Sequence, residues 1–262
     1  MHNRGRGTRD NSVEAPASGI TRRRLFQGTI AAGLAGLLSA VAPPAALSRF
    51  VLGSQSGTAF AAEEPAHLTA DEVLKQLMEG NARYVAAKPS YPDQSNERRL
   101  EVAKGQHPMA VVLGCADSRV PPELLFDQGL GSLFVLRVAG NIADAAVEGS
   151  IEFGVEEFHI PLVVVLGHER CGAVKATLDA SESGAEAPGH IGAVVAPIKP
   201  AVEQAKQSEG DVLDRAIIAN VANVTAQLKA CEPLLSELVH HEKLRVVGAR
   251  YDLDTGEVTL VA

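Results

Sequence analysis

The chain has 262 residues, of which 46% are hydrophobic and 21% charged, a composition typical of a globular protein rather than of a disordered one. Its formal net charge is −8, but the first 61 residues carry seven arginines against two acidic residues, so the remaining residues stand at −13. A segment this acidic repels the phosphate groups of nucleic acids and the head groups of anionic lipids, which argues against binding to nucleic acids or membrane surfaces. Three cysteines are too few for a disulfide-built scaffold.

The first 61 residues have the order of segments that is typical of an export signal. A polar, basic start precedes an arginine-rich segment at residues 21–27 and an apolar run at residues 28–42. This order resembles that of twin-arginine signals, which direct folded proteins out of the cytoplasm. Because that route often serves proteins that first take up a metal or cofactor, a metal site is worth seeking in the rest of the chain.

A cleaved signal fits this leader better than a permanent membrane anchor. The apolar run is shorter than the roughly 20 strongly apolar residues that a spanning helix needs, and Pro43-Pro44 ends it. Ala59-Phe60-Ala61 has the small-x-small form that signal peptidase accepts. We therefore expect a leader at residues 1–61, a periplasmic or otherwise extracytoplasmic location, and a single catalytic domain at residues 62–262. An uncleaved tail is the alternative.

Helix and strand patterns alternate along residues 62–262. Thr69 to Glu72 forms a capping box, and helical periodicity then continues to Lys88-Pro89, which predicts an N-terminal helix. Four short runs rich in β-branched residues predict buried strands at 109–113, 133–138, 162–166 and 244–247. Helical periodicity marks 147–158 and 213–228, and a hairpin pattern closes the chain at 251–260. The order predicts one α/β domain with a mainly parallel central sheet flanked by helices.

Soft metal ligands follow two of the predicted strands. Cys115 comes after the run at 109–113, while His168 and Cys171 come after the run at 162–166. Ligands bind beyond the carboxyl ends of the strands in open parallel sheets, so these three side chains could bind one ion. Thiolates with an imidazole favour Zn²⁺, and three protein ligands leave a position for water, as in catalytic zinc sites. Either motif alone would read as a buried thiol or a capping histidine.

Asp117 and Arg119 follow the first of these ligands in the same turn. A carboxylate and a guanidinium two residues apart can pair through two hydrogen bonds, which keeps the carboxylate ionised. Asp117 could then orient a zinc-bound hydroxide, or it could occupy the fourth zinc position itself, while a plain surface ion pair is the alternative. Because zinc with two thiolates is neutral, we expect activity that increases toward alkaline pH.

The motifs Cys115-x-Asp117-Ser118-Arg119 and His168-x-x-Cys171-Gly172 resemble those of the β-class carbonic anhydrases. The likeness extends over residues 68–262 and includes segments at 80–83, 126–131, 134–137, 139–141 and 149–152. The resemblance implies reversible hydration of CO₂ to bicarbonate and a proton by zinc hydroxide. It implies one zinc per chain on Cys115, His168 and Cys171, with Asp117 and Arg119 as the catalytic dyad. It also implies an N-terminal helix that reaches onto a partner subunit, in a homodimer or homotetramer.

One departure and two rival functions accompany this resemblance. Plant-like members carry a glutamine in the substrate pocket where this chain has Gly129, and we assign no role to the preceding Gln128. The same ligands would serve a CS₂ or carbonyl sulfide hydrolase, because a scaffold does not fix its substrate. A non-catalytic protein that binds zinc or bicarbonate is the other rival, although it would need neither Asp117 nor Arg119.

The leader hypothesis predicts a specific export defect. Replacing Arg22, Arg23 and Arg24 with lysine should retain the full-length precursor in the cytoplasm, because the arginine pair is the feature that the export route recognises. Cell fractionation followed by mass spectrometry of the N-terminus measures this, and the wild-type protein should begin at Ala62. Lysine at Arg4 and Arg6 is the matched control and should leave export unchanged. Normal export of the triple variant would contradict the hypothesis.

Overall fold

The structure is a computed structural model that describes residues 68–207 and 209–262. The predicted leader and its cleavage site lie outside these residues. The described residues contain a five-stranded sheet in the order β2-β1-β3-β4-β5, in which the first four strands are parallel and β5 pairs antiparallel to β4. The strands are β1 (Ala110–Gly114), β2 (Leu133–Arg137), β3 (Leu162–His168), β4 (Arg245–Tyr251) and β5 (Val258–Leu260). The predicted α/β class, the mainly parallel sheet and the closing hairpin are confirmed.

Helices lie on both faces of the sheet. They are α1 (Ala70–Val85), α2 (Asn96–Val102), α3 (Pro122–Leu125), α4 (Ala145–Phe158), α5 (Gly172–Ser183), α6 (Gly192–Ala205), α7 (Val212–Lys229) and α8 (Leu234–His240). Two short 3-10 turns lie at Ala139–Asn141 and Gly189–Ile191. Within the described ranges, none of the helices combines the length and the apolar character needed to cross a membrane.

The two central strands are buried along their whole length. Every residue of β1 and β3 is buried, and their side chains alternate between two apolar cores on opposite faces of the sheet. One core contains Val112 and Val164 with residues of α1, α5 and α6, and the other contains Leu113 and Val165 with residues of α4, α7 and α8. Each fully buried aliphatic side chain contributes about 1.5–3 kcal/mol. The carboxyl ends of β1 and β3 are therefore held firmly in place.

Helix α1 begins at the predicted capping box. The backbone N–H of Thr69 donates to the Glu72 carboxylate at 2.8 Å, and the backbone N–H of Glu72 donates to the Thr69 hydroxyl at 3.3 Å. Val73 and Leu77 on this helix are fully buried in the core that also contains strand residues of the same chain. The single chain thus covers this face of α1, and contact of α1 with a partner subunit stays a prediction.

Asn81 connects α1 to the closing hairpin and to α3. Its side-chain amide donates to the carbonyl oxygens of Leu125 at 3.0 Å and Gly256 at 2.9 Å. Its carbonyl oxygen accepts from the backbone N–H of Val258 at 2.9 Å. Since Asn81 is only 3% exposed, water cannot replace these bonds.

Replacing Asn81 with leucine should lower the free energy of unfolding by about 2–3 kcal/mol, because three buried backbone groups lose their partner. Denaturation by urea measures this change. Lys75→Ala is the control on the same helix, since Lys75 is exposed and forms only a 3.9 Å surface ion pair with Glu79, so its effect should stay below about 0.5 kcal/mol. Equal effects of the two substitutions would show that Asn81 does not hold these elements together.

Candidate metal centre

The pairing of β1 with β3 brings the three predicted ligands together. Gly114, the last residue of β1, pairs with Leu166 of β3, so Cys115 and His168 leave neighbouring strands at the same edge of the sheet. The sulfur atoms of Cys115 and Cys171 lie 4.0 Å apart. One ligand atom from each of the three residues lies within 4.8 Å of the others, and all three residues are buried. The structure thus brings together the three side chains that the sequence indicated, and their role as metal ligands stays a prediction.

One ring nitrogen of His168 forms a hydrogen bond within the described residues, and the other does not. Nδ1 lies 2.8 Å from the backbone carbonyl oxygen of Glu169, and because a carbonyl oxygen only accepts, Nδ1 carries the proton. Nε2 therefore has a free lone pair, and this buried atom has no hydrogen-bond partner among the described residues. A buried imidazole nitrogen with a free lone pair, next to two thiols, matches the ligand set of a Cys₂His zinc site. The residues present therefore fit a zinc ion.

The two thiols affect each other's ionisation. The thiol of Cys171 donates to Cys115 and lowers the pKa of Cys115, with smaller contributions from His168 and from backbone N–H groups that include Gly140. The same hydrogen bond, together with burial, raises the pKa of Cys171. The pair therefore stabilises one negative charge by itself, and a bound dication would stabilise the second thiolate as well.

Asp117 and Arg119 form the predicted pair. The backbone N–H and Nε of Arg119 donate to Asp117 Oδ1 at 3.0 and 2.9 Å, and Nη2 donates to Oδ2 at 2.8 Å. The hydrogen bonds from the Arg119 side chain, and to a smaller extent the one from its backbone N–H, hold the pKa of Asp117 well below its usual range. Asp117 Oδ2 also lies 3.9 Å from His168 Nε2. An ionised carboxylate in fixed orientation thus borders the ligand cluster.

Two residues to which the sequence alone assigned no role, Arg137 and Gly140, support the loop that carries Cys115 through three hydrogen bonds. Arg137, at the end of β2, donates through Nε to the carbonyl oxygen of Cys115 at 2.9 Å and through Nη2 to the carbonyl oxygen of Asp117. The backbone N–H of Gly140 donates to Cys115 Sγ at 3.3 Å. Both residues lie in segments that carry the family resemblance, 134–137 and 139–141. This resemblance was the only feature of the sequence that pointed to them.

The structure explains why position 129 has no side chain. A Cβ atom added to Gly129 would lie 2.2 Å from the carbonyl oxygen of Pro92 and 2.5 Å from Cβ of Asp93. Any larger residue would displace that backbone. Gln128 donates its side-chain amide to the carbonyl oxygen of Phe126 at 2.8 Å, which is a local structural bond.

A second group of acidic side chains, Glu169, Asp252 and Asp254, lies close together near the hairpin. These carboxylates already have partners. Glu169 accepts from the backbone N–H of Leu253, Asp252 accepts from the turn that it begins, and Asp254 pairs with Arg170 at 2.7 Å. We interpret this group as the ion pairs and turn bonds that shape the hairpin.

Comparison with known proteins identifies the family. The family model described as carbonic anhydrase matches residues 110–258, a range that includes β1 to β4, the first residue of β5 and all three candidate ligand residues. Carbonic anhydrase 2 of Mycobacterium tuberculosis is 44% identical over 186 residues, which cover 71% of this chain and 90% of that protein. The chain belongs to the carbonic anhydrase family.

Further relatives and solved structures agree with this assignment. A carbonic anhydrase of Mycolicibacterium smegmatis is 42% identical, again over 90% of its length. The β-carbonic anhydrase CcaA matches with a TM-score of 0.57 and 26% identity, over 71% of this chain and 94% of that one. A Coccomyxa β-carbonic anhydrase in complex with acetazolamide matches with the same TM-score and 27% identity, over 72% and 86% of the two chains. The chain is an enzyme of the β class, and its family supports CO₂ hydration as the reaction.

The ligand geometry predicts which cysteine substitution removes the metal. Cys171→Ala should lose zinc, because only two of the three ligands remain, and metal analysis of the purified protein measures the zinc content. Cys231→Ala is the matched control: Cys231 lies outside the ligand cluster, with Sγ 3.7 Å from the Glu152 carboxylate, so this variant should keep one zinc per chain. Full zinc content in Cys171→Ala would contradict the assignment.

Proposed function

We propose that this carbonic anhydrase catalyses the reversible hydration of CO₂ to bicarbonate and a proton with one zinc ion bound by Cys115, His168 and Cys171. The observation that carries the proposal is the unpartnered Nε2 of His168, which is buried beside two thiols and lies 3.9 Å from Asp117. When bound there, zinc supplies chemistry of two kinds, acidification of water and stabilisation of negative charge on oxygen.

The protein's own residues prepare the site for this reaction. Asp117 is ionised and its position is fixed by Arg119, so it accepts a hydrogen bond from the attacking oxygen and directs a lone pair of that oxygen toward the carbon of CO₂. Asp117 is mostly buried whereas the side chain of Arg119 is 52% exposed. Arg119 therefore holds the carboxylate from the solvent side of the site and favours its charged form.

Two other functions use the same fold. Hydrolysis of CS₂ or carbonyl sulfide would require the same ligands, and a binding protein would require no turnover. The named relatives are carbonic anhydrases, and the intact Asp117 and Arg119 pair supports catalysis, so neither alternative is favoured.

We also propose, from the leader pattern alone, that the enzyme works outside the cytoplasm.

We further propose that the enzyme is a homo-oligomer that assembles through the free edge of β2. Within residues 68–207 and 209–262 this strand pairs with β1 alone, and its residues are partly exposed, unlike those of β1 and β3. Phe134 on β2 forms an aromatic cluster with Phe153 and Phe158 of α4, with ring centroids 5.9–6.5 Å apart. Phe153 is 56% exposed. An unpaired edge beside an exposed aromatic surface fits a second copy of the chain, which would cover both.

The proposed role of Asp117 predicts a loss of turnover without a loss of metal. Asp117→Asn should keep one zinc per chain and lower kcat/KM by about 10²-fold or more, because the amide cannot hold the same charge beside the reacting oxygen. Stopped-flow CO₂ hydration and metal analysis on one sample measure both quantities. Asp179→Asn, which removes only the surface partner of Lys175, is the control and should behave as wild type. Full activity in Asp117→Asn would exclude the role.

The proposed interface predicts that a charge at the aromatic cluster separates the subunits. Phe153→Glu should convert the oligomer to monomer, because it places a carboxylate in an apolar contact. Sedimentation velocity measures the oligomeric state. Ile191→Glu, at an exposed position in the 3-10 turn Gly189–Ile191, is the control for a surface charge. A wild-type protein that sediments as a monomer would contradict the proposal, and so would an oligomer that Phe153→Glu leaves intact.

A further inference from the structure

The sulfur of Cys115 receives a hydrogen bond from a backbone turn distant in sequence. The N–H of Gly140 lies 3.3 Å from Cys115 Sγ, and both residues are buried. Gly140 lies in the 3-10 turn Ala139–Asn141 that follows β2. The sulfur of Cys115 is therefore stabilised by a donor from a separate element of the fold.

The turn at Gly140 can approach the sulfur only because the residue is glycine. Its φ is +70°, a left-handed conformation that residues with a side chain rarely adopt. A Cβ atom added there would lie 2.6 Å from Cδ1 of Ile198 and 3.1 Å from Cβ of Ala173. Residues of α5 and α6 thus fill the space that a side chain at this position would need.

Asn220 on α7 holds the other side of this glycine. Its side-chain amide donates to the carbonyl oxygen of Gly140 at 2.9 Å. Asn220 is 2% exposed, and it is one of few polar residues in the buried part of the structure. A buried asparagine that bonds to a backbone carbonyl 80 residues away costs desolvation and needs a compensating gain.

We propose that Asn220 is a positioning residue of the zinc site, which holds Gly140 so that its N–H stays directed at the sulfur of Cys115. This inference rests on the proposed zinc site. A hydrogen bond to a thiolate withdraws electron density from the sulfur, so the sulfur neutralises less of the charge on the metal. Through Gly140, Asn220 would thereby help a site with two thiolates to keep a bound metal electron-poor.

The test uses the full chain loaded with Co²⁺, whose sulfur-to-metal charge-transfer absorption reports the electron density on the thiolates. Asn220→Leu keeps a side chain of similar size and removes the donor. We expect its charge-transfer band to move to longer wavelength and its zinc affinity, measured by competition with a chelator, to fall about tenfold. Thr225→Val is the matched control, because Thr225 is equally buried on α7 but bonds only to the carbonyl oxygen of Val221 in the same helix. Its band and affinity should match those of wild type.

A folded Asn220→Leu protein with an unchanged band and unchanged zinc affinity overturns the proposal, and so do equal changes in Thr225→Val. If Asn220→Leu does not fold, NMR of the unsubstituted protein loaded with ¹¹³Cd tests the hydrogen bond on which the proposal depends. We expect a coupling between the Gly140 amide and ¹¹³Cd through the N–H···S bond, and its absence overturns the proposal. Failure of the wild-type protein to bind any of these metals would instead refute the proposed zinc site.

Discussion

The parallel pairing of β1 with β3 is the constraint on which the metal centre depends. It carries Cys115 and His168 to the same edge of the sheet, and Cys171 follows within the next turn. Both strands are buried on both faces, so neither can shift without disrupting two apolar cores. The sheet therefore fixes the points from which the ligand loops start, and bonds such as those from Arg137 hold the Cys115 loop in place.

The elements around this edge stabilise charge that the ligands bring into the interior. Two sulfurs and the carboxylate of Asp117 lie close together, an arrangement that would be costly without opposing groups. Arg119 pairs with the carboxylate, and Arg137 binds the carbonyl oxygens of the same loop. The backbone N–H of Gly140 donates to the sulfur of Cys115. The site thus combines a rigid frame with donors from the loop after β1, from β2 and from the turn at Gly140.

Local sequence patterns predicted most of the frame and the grouping of the candidate ligands. The capping box at Thr69 and Glu72, the β-branched runs of the strands and the hairpin near the C-terminus each depend on neighbouring residues, so they can be recognised without the fold. Ligands that directly follow strands are predictable for the same reason. The contact of Asn220 with Gly140 spans 80 residues and leaves no periodic pattern. Only the folded chain shows that α7 reaches the turn beside Cys115.

The most direct test of this account is stopped-flow CO₂ hydration by the purified protein from about pH 6.5 to about pH 9.5, with zinc determined on the same sample. We predict that turnover increases with pH and is proportional to zinc up to one ion per chain, is lost when a chelator removes the metal, and returns when zinc is restored. Stoichiometric zinc without CO₂ turnover at any pH would contradict the central claim.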